Sequence, residues 1–214
     1  DTARRIQARL AALETDRLDD AAILPRLLES YVRAERFDTA RIPFTGDSGF
    51  HSSPVFAALR TRIRTEEGAE AWTARLNDLP RYFAEHTVNM RRGIASGWTS
   101  YGDPLATTMD QIREQIVSSP EESGLYAPFE SLPDSIPAAQ AQSIRDDGRR
   151  AVERGVQAYA DLLKFMEYEY LPEARAEPGI VSIPNGRAAY AAFVEHHTAG
   201  AGYEAEAIHA LGLT

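Results

Sequence analysis

The residues best equipped to hold a metal or move a proton gather at the end of the chain. Glu195-His196-His197-Thr198 is followed by Tyr203-Glu204 and Ile208-His209, so three of the five histidines sit in the last stretch. Zinc proteases place two imidazoles one helical turn apart with a carboxylate between them, as H-E-x-x-H. That string does not occur. Adjacent His196 and His197 diverge by about 100° on a helix, and His197, Tyr203 and His209 converge only through a tight loop. The plainer expectation is that these histidines are hydrogen-bonded or exposed and that this chain holds no metal.

Three further places carry reactive groups. His86 lies on an apolar stripe with Phe83 and Met90; a histidine there is a satisfied core residue or lines a groove. The segment Ile42-Pro43-Phe44-Thr45-Gly46-Asp47-Ser48-Gly49-Phe50-His51-Ser52-Ser53-Pro54 is long and aromatic for a plain connector. It lacks the Gly-Lys-Ser/Thr of a phosphate loop and the G-x-S-x-G of a nucleophile elbow. It reads as an ordered packing loop or as a loop facing a substrate. Glu167 and Glu169 offer paired carboxylates for acid–base work. At positions i and i+2 of a helix they diverge by about 200°, which makes them a solvated face.

The frame that must position these groups is helical. Apolar residues recur at helical spacing in a short stripe Ile6, Leu10, Leu13, then in Leu24, Leu27, Leu28, Tyr31, Val32 with Pro25 near the first turn. Thr65, before Glu66 and Glu67, is an N-cap for a long stripe Trp72, Leu76, Leu79, Phe83, His86, Met90, Ile94. Pro80 should kink or split that helix, and Gly93 and Gly97 mark its end. Asp103-Pro104 starts another, with Leu105, Met109, Ile112 and Ile116 on one face. A loop spans Ser118 to Ile136. Pro137 opens the longest helix, to about Leu171, with the face Ile144, Ala151, Val152, Val156, Tyr159, Leu162, Leu163, Met166, Tyr170. Gly148 and Gly155 weaken it by about 1 kcal/mol each relative to Ala, which close packing against a neighbour explains. Pro172 closes it. A helix from Gly186 to His197, capped by Asn185, and a last one from about Glu204 complete the series. The nearest strand candidate, Gly179-Ile180-Val181-Ser182-Ile183, is too short to seed a sheet. The expected class is all-α, with long antiparallel helices in a bundle, and residues 1–214 form one domain or part of one, with no repeat or linker.

Composition excludes several functions. The formal net charge is −9, with 32 acids against 23 bases, and a phosphate-binding surface needs clustered Lys and Arg. No nucleic-acid partner is expected. The absence of cysteine removes disulfides, thiolate metal sites and a cysteine nucleophile. No apolar run approaches the ~20 residues of a membrane span. The cytoplasm and the periplasm stay equally open. The chain begins at Asp1 without methionine and stops within an amphipathic turn, so both ends are expected to be cut.

A set of short motifs in fixed order resembles a known family. They are the Pro-Phe-Thr-Gly-Asp-Ser-Gly-Phe-His loop at 43–51, Ala74-Arg75-Leu76 with Leu79-Pro80-Arg81-Tyr82, and Arg92-Gly93-Ile94 with Ser96-Gly97-Trp98-Thr99. Tyr126-Ala127-Pro128-Phe129, Leu132-Pro133-Asp134-Ser135-Ile136-Pro137 and Glu169-Tyr170-Leu171-Pro172 with Ala174-Arg175 follow. His197-Thr198 and Ile208-His209-Ala210-Leu211-Gly212-Leu213 close the series. From about Leu18 onward this order resembles the bacterial family called domain of unknown function 885. The stretch Gly200-Ala201-Gly202-Tyr203 departs from the polar or Thr-Pro helix start of that family.

The resemblance implies an all-helical zinc metallopeptidase of the gluzincin type, in which two helical halves enclose a deep channel. The family's zinc-binding histidine–glutamate motif falls downstream of Thr214. This chain would then resemble one half, a non-catalytic N-terminal portion, with zinc expected only in the full-length parent. Its partners would be the C-terminal half and a peptide. Asp47, His51, His197, Thr198 and His209 are expected as polar groups on the substrate side of the channel. An apolar surface left uncovered would favour self-association. The alternative is a helical binding module without catalysis.

Overall fold

A computed structural model describes residues 5, 6, 8, 9, 23–198 and 201–214. Leu10 and Leu13 of the first stripe lie outside the described residues. In chain order the helices are α1 (Ile23–Glu35), α2 (Ser53–Arg60), α3 (Glu66–Asn77), α4 (Leu79–Ser96), α5 (Asp103–Arg113), α6 (Ala127–Glu130), α7 (Ala138–Phe165), α8 (Gly186–His197) and α9 (Ala205–Gly212). The class is all-α. Among the described residues the only extended pairings are two isolated bridges, Phe44 with Gly49 and Tyr101 with Arg175. The strand candidate at 179–183 is a single 3-10 turn, Ile180–Ser182.

The chain divides into two compact units. One comprises Asp1–Thr39 with Pro178–Thr214, the other Ala40–Glu177. In the first, α1 and α8 run antiparallel. Arg33 Nη1 donates to Glu195 Oε1 at 2.6 Å, Ser30 Oγ lies 3.3 Å from His196 Nδ1, and Phe37 meets Phe193 edge-on. Leu24, Leu27 and Tyr31 of the α1 stripe are exposed. Asn185 does stand before α8, but in a left-handed conformation and without a side-chain cap bond.

In the second unit the local signals act as their chemistry dictates. Thr65 Oγ1 accepts the Gly68 N–H at 3.2 Å and starts α3. Pro80 lacks an N–H and is tolerated only in a first helical turn, so the long helix splits at Asp78 into α3 and α4, with Pro80 in the opening turn of α4. Gly97 closes α4 in the left-handed region, φ 70°, with its N–H on the Ile94 carbonyl and the Trp98 N–H on that of Gly93. This is the Schellman arrangement that satisfies the last carbonyls of a helix. α5 begins at Asp103 itself, with Gly102 one residue before the expected cap, since the Leu105 N–H already bonds the Gly102 carbonyl. It ends at Arg113, which leaves Ile116 off its face and exposed.

α7 is the axis of this unit. Ala151, Val152, Tyr159 and Leu162 are buried along the expected face. Both glycines of α7 are packing positions. A Cβ on Gly148 would lie 2.8 Å from the Phe129 ring, and one on Gly155 3.2 Å from Leu79 Cδ1. The contacts also fix direction. Phe83 meets Tyr159, Arg154 bonds Asn77, and Arg91 bonds Glu169. Both numbers rise together, so α3 and α4 run parallel to α7. The antiparallel arrangement belongs to α5, whose Arg113 bonds Glu167 while Tyr101, ahead of the helix, bridges Arg175.

The end of the longest helix differs from expectation. α7 stops at Phe165, and Met166–Tyr170 form a π turn followed by a 3-10 turn at Leu171–Glu173. Pro172 cannot donate to the ladder, and Tyr170 is held sideways: its hydroxyl accepts the Ser100 N–H at 2.9 Å. Burial pushes the Tyr170 phenol up to about 12.

Candidate functional site

The loop at 42–54 folds as a tight hairpin-like turn. The Thr45 N–H bonds the Ser48 carbonyl at 2.8 Å, and Phe44 bridges Gly49. A side chain on Gly49 would put its Cβ 2.5 Å from that of Phe44, so only glycine allows the two strands of the turn to approach. Phe44, Phe50 and His51 anchor the loop in the core, while its crest is exposed.

At that crest the Asp47 carboxylate accepts hydrogen bonds from the hydroxyls of Thr45 at 2.6 Å and Ser48 at 3.3 Å. These two bonds, Thr45 first, hold its pKa below the ordinary carboxylate value. A carboxylate stabilised this way closes the turn as an acceptor.

His51 has the opposite environment. It is 2% exposed, lies edge-on to Phe44 and Phe50, and its Nε2 is 2.8 Å from Gln111 Oε1. With the amide oxygen as acceptor, Nε2 carries the proton and Nδ1 keeps a buried lone pair with no partner. His86 stacks on Phe50, 4.4 Å between ring centres, and its Nδ1 is likewise buried and unpartnered. Burial is the main cause that lowers both pKa values; Gln111 opposes it at His51 and Glu85 at His86. The result is two neutral imidazoles in contact with one phenyl ring.

Tyr159 closes the cluster from α7. Its hydroxyl donates to the His51 backbone carbonyl at 2.7 Å, and burial raises its pKa further above the usual phenol value. The bond ties the loop to the central helix. Tyr159→Phe strands that buried carbonyl at a cost of about 1–3 kcal/mol, to be read as a lower midpoint in urea with an unchanged slope. Among the described residues no carboxylate is hydrogen-bonded to either imidazole. The cluster therefore lacks the base-and-orienter arrangement of acyl-transfer sites.

The paired carboxylates are also accounted for. Glu169 takes a two-point bond from Arg91 at 2.7 and 2.8 Å, and Glu167 accepts from Arg113 at 3.0 Å. Each is turned to a different helix. Both lie within the π turn Met166–Tyr170, which nothing in the periodicity signals.

The histidines near the chain end belong to the other unit. His197 is exposed on the last turn of α8, and Thr198 caps that turn through a bond from its hydroxyl to the Val194 carbonyl at 2.8 Å. His209 is exposed on α9. Among the described residues no three His, Asp or Glu side chains are grouped to hold a metal ion. Thus Asp47 and His51 share one loop in one unit, and His197, Thr198 and His209 lie in the other.

Motif reasoning missed a cleft. Beside this loop, between α2, α3 and the start of α4, opens a depression of about 260 Å³. Its floor is apolar, from Pro54, Ala57, Trp72, Leu76 and Leu79, and its polar edge comprises Ser53, Arg75, Asp78 and Tyr82. Signals for it stood in the sequence as Arg75 and Tyr82, beside the apolar stripe, but only the break at Asp78 opens the space.

Over its whole length, residues 1–214, the chain matches the model of a family described as bacterial protein of unknown function (DUF885). No curated protein and no solved structure matches it.

Proposed function

The chain belongs to that bacterial family, and from this premise we propose that it is a non-catalytic N-terminal helical portion of a zinc-dependent metallopeptidase, forming one wall of a peptide-binding channel. The observation that carries the reading is the apolar cleft with a polar edge, large enough for one side chain and set between rigid helices. Clefts of this character are where ligands are held. The zinc ligands and the glutamate that would activate a zinc-bound water are assigned to chain outside these 214 residues. The C-terminal half of the parent is then the partner that completes the channel. An uncovered apolar helix supports such a partner: α9 buries none of its side chains, and Leu211 and Leu213 are exposed. The alternative, a helical binding module without catalysis, draws on the same surface.

Reading the gene beyond Thr214 separates the two. An H-E-x-x-H motif on a predicted helix, with zinc and peptidase activity in the full-length protein, is expected. A full-length protein that binds no metal and cleaves no peptide sinks the peptidase reading. The chain of 214 residues is expected to bind no stoichiometric zinc, and zinc that is lost in His197→Ala overturns that assignment. Light scattering of the same chain is expected to show self-association at high concentration, and a strict monomer counts against the uncovered surface.

A further inference from the structure

We propose that the cleft between α2, α3 and α4 is a subsite for the C-terminal residue of a peptide, taking a large apolar side chain on its floor and the free carboxylate at its edge. This deepens the peptide-channel reading and rests on it for the source of the ligand.

The floor argues for the side chain. Trp72 is 3% exposed, and its indole N–H is already bonded to the Leu125 carbonyl at 3.2 Å. Leu76 and Leu79 are buried beside it. No unfilled polar group faces a ligand from this floor, so what it recognises is apolar surface. A volume of about 260 Å³ falls below the roughly 300–1,000 Å³ of sites for drug-sized ligands, which suits one aromatic or branched residue.

The edge argues for the carboxylate. Asp78 is the only acid in the lining, and it is taken by Arg81, which donates to both of its oxygens at 2.7 and 2.5 Å. Arg81 also bonds Glu85. Arg75 lines the same cleft, is exposed, and its guanidinium forms no hydrogen bond or ion pair among the described residues. Ser53 directs its proton to the Gly49 carbonyl at 2.9 Å. The Tyr82 phenol is pushed up by burial, with its hydrogen bond to Ser53 opposing, and is already engaged at the rim. A free guanidinium at the mouth of an apolar pocket matches an apolar carboxylate, since Arg pairs with such a group by two parallel N–H bonds.

Calorimetric titration of the 214-residue chain tests this with N-acetyl-L-phenylalanine against its uncharged amide. The acid is expected to bind about ten- to a hundredfold tighter than the amide, the range of one charge-assisted bond. Arg75→Ala should remove that preference while the amide's affinity stays, Arg75→Lys should restore part of it, and Ala57→Leu should abolish both. Circular dichroism melts confirm that each variant folds; Arg75 is exposed, so its loss should leave the melt unchanged. Equal affinity for acid and amide, or an Arg75→Ala protein that keeps the preference, overturns the carboxylate assignment. Absence of binding by either compound at millimolar concentration overturns the subsite. The readout needs no zinc and no cleavage. A subsite that binds while the full-length protein is inactive would leave this inference standing and sink the peptidase reading; an active peptidase with a cleft that binds neither compound would do the reverse.

Discussion

Phe129→Ala lowers the free energy of unfolding by about 3–5 kcal/mol, and it reverses the sign of a second substitution. Phe129 is fully buried, and its ring lies flat against the backbone of α7 where Gly148 has no side chain. In the native chain, Gly148→Ala improves helix propensity by about 1 kcal/mol, but its methyl would enter 2.8 Å from the ring. Overpacking of this kind costs about 1–3 kcal/mol. The ring sits at the base of α6 and is packed on all sides, so it cannot swing away cheaply. Gly148→Ala alone is therefore destabilising. With Phe129→Ala the obstruction is gone, and the same change becomes stabilising by up to about 1 kcal/mol. A double-mutant cycle from urea unfolding measures the coupling. If Gly148→Ala has the same effect in both backgrounds, the glycine is not there for the ring.

The second large effect is loss of stability on mild acidification. His51 and His86 are both held neutral by burial, with pKa values below the ordinary 6.5. The unfolded chain then takes up protons near pH 6.5 that the folded chain refuses. Stability is present in full above that pH and falls as pH drops from about 6.5 toward the depressed folded values, by up to about 1.4 kcal/mol per pH unit for the fully buried His51. His86 is part-exposed and adds in the same direction with a smaller slope. The groups facing His51 are Gln111, Phe44, Phe50 and the Tyr159 hydroxyl on its carbonyl. None is an anion able to hold a charged imidazole. The carboxylates with lowered values, such as Glu121 at about 2, lose their pairing at far lower pH. Urea midpoints between pH 7 and 5 should fall in the native chain and flatten in His51→Gln, whatever the absolute stability of that variant. A native chain with a flat profile over this range would falsify the account.

Much of the frame was legible because helices announce themselves locally. Thr65 capped α3, Pro80 split the stripe it interrupted, Gly97 ended α4, and the glycines of α7 faced a neighbour. Each follows from one or two residues and a backbone rule. Direction was not legible. Whether α4 runs with or against α7 depends on how the segment between Ser96 and Ala138 returns, and apolar stripes carry no arrow. The π turn at Met166–Tyr170 escaped for a related reason: it is set by the Tyr170 hydroxyl meeting the Ser100 amide, a contact between residues 70 positions apart. For the chemistry, the sequence showed where histidines were but not their surroundings. His51 and Asp47, four positions apart on one loop, end in opposite solvents. The cleft escaped because it is made of space left between helices.

The direction that α3 and α4 share with α7 also sets how the chain must fold. Asn77 reaches Arg154 across 77 positions, and Arg91 reaches Glu169 across 78. Because the offset hardly changes along the pair, one long closure brings every later contact into register. The entropy of that closure is about 4 kcal/mol beyond its constant part, incurred once, before any contact between the two helices returns it. Such topology places the kinetic barrier at the first docking of α7 on α3 and α4 rather than in helix formation, which is fast. A break in the backbone between α5 and α7 would turn that docking into an encounter of two molecules, with a rate that depends on concentration.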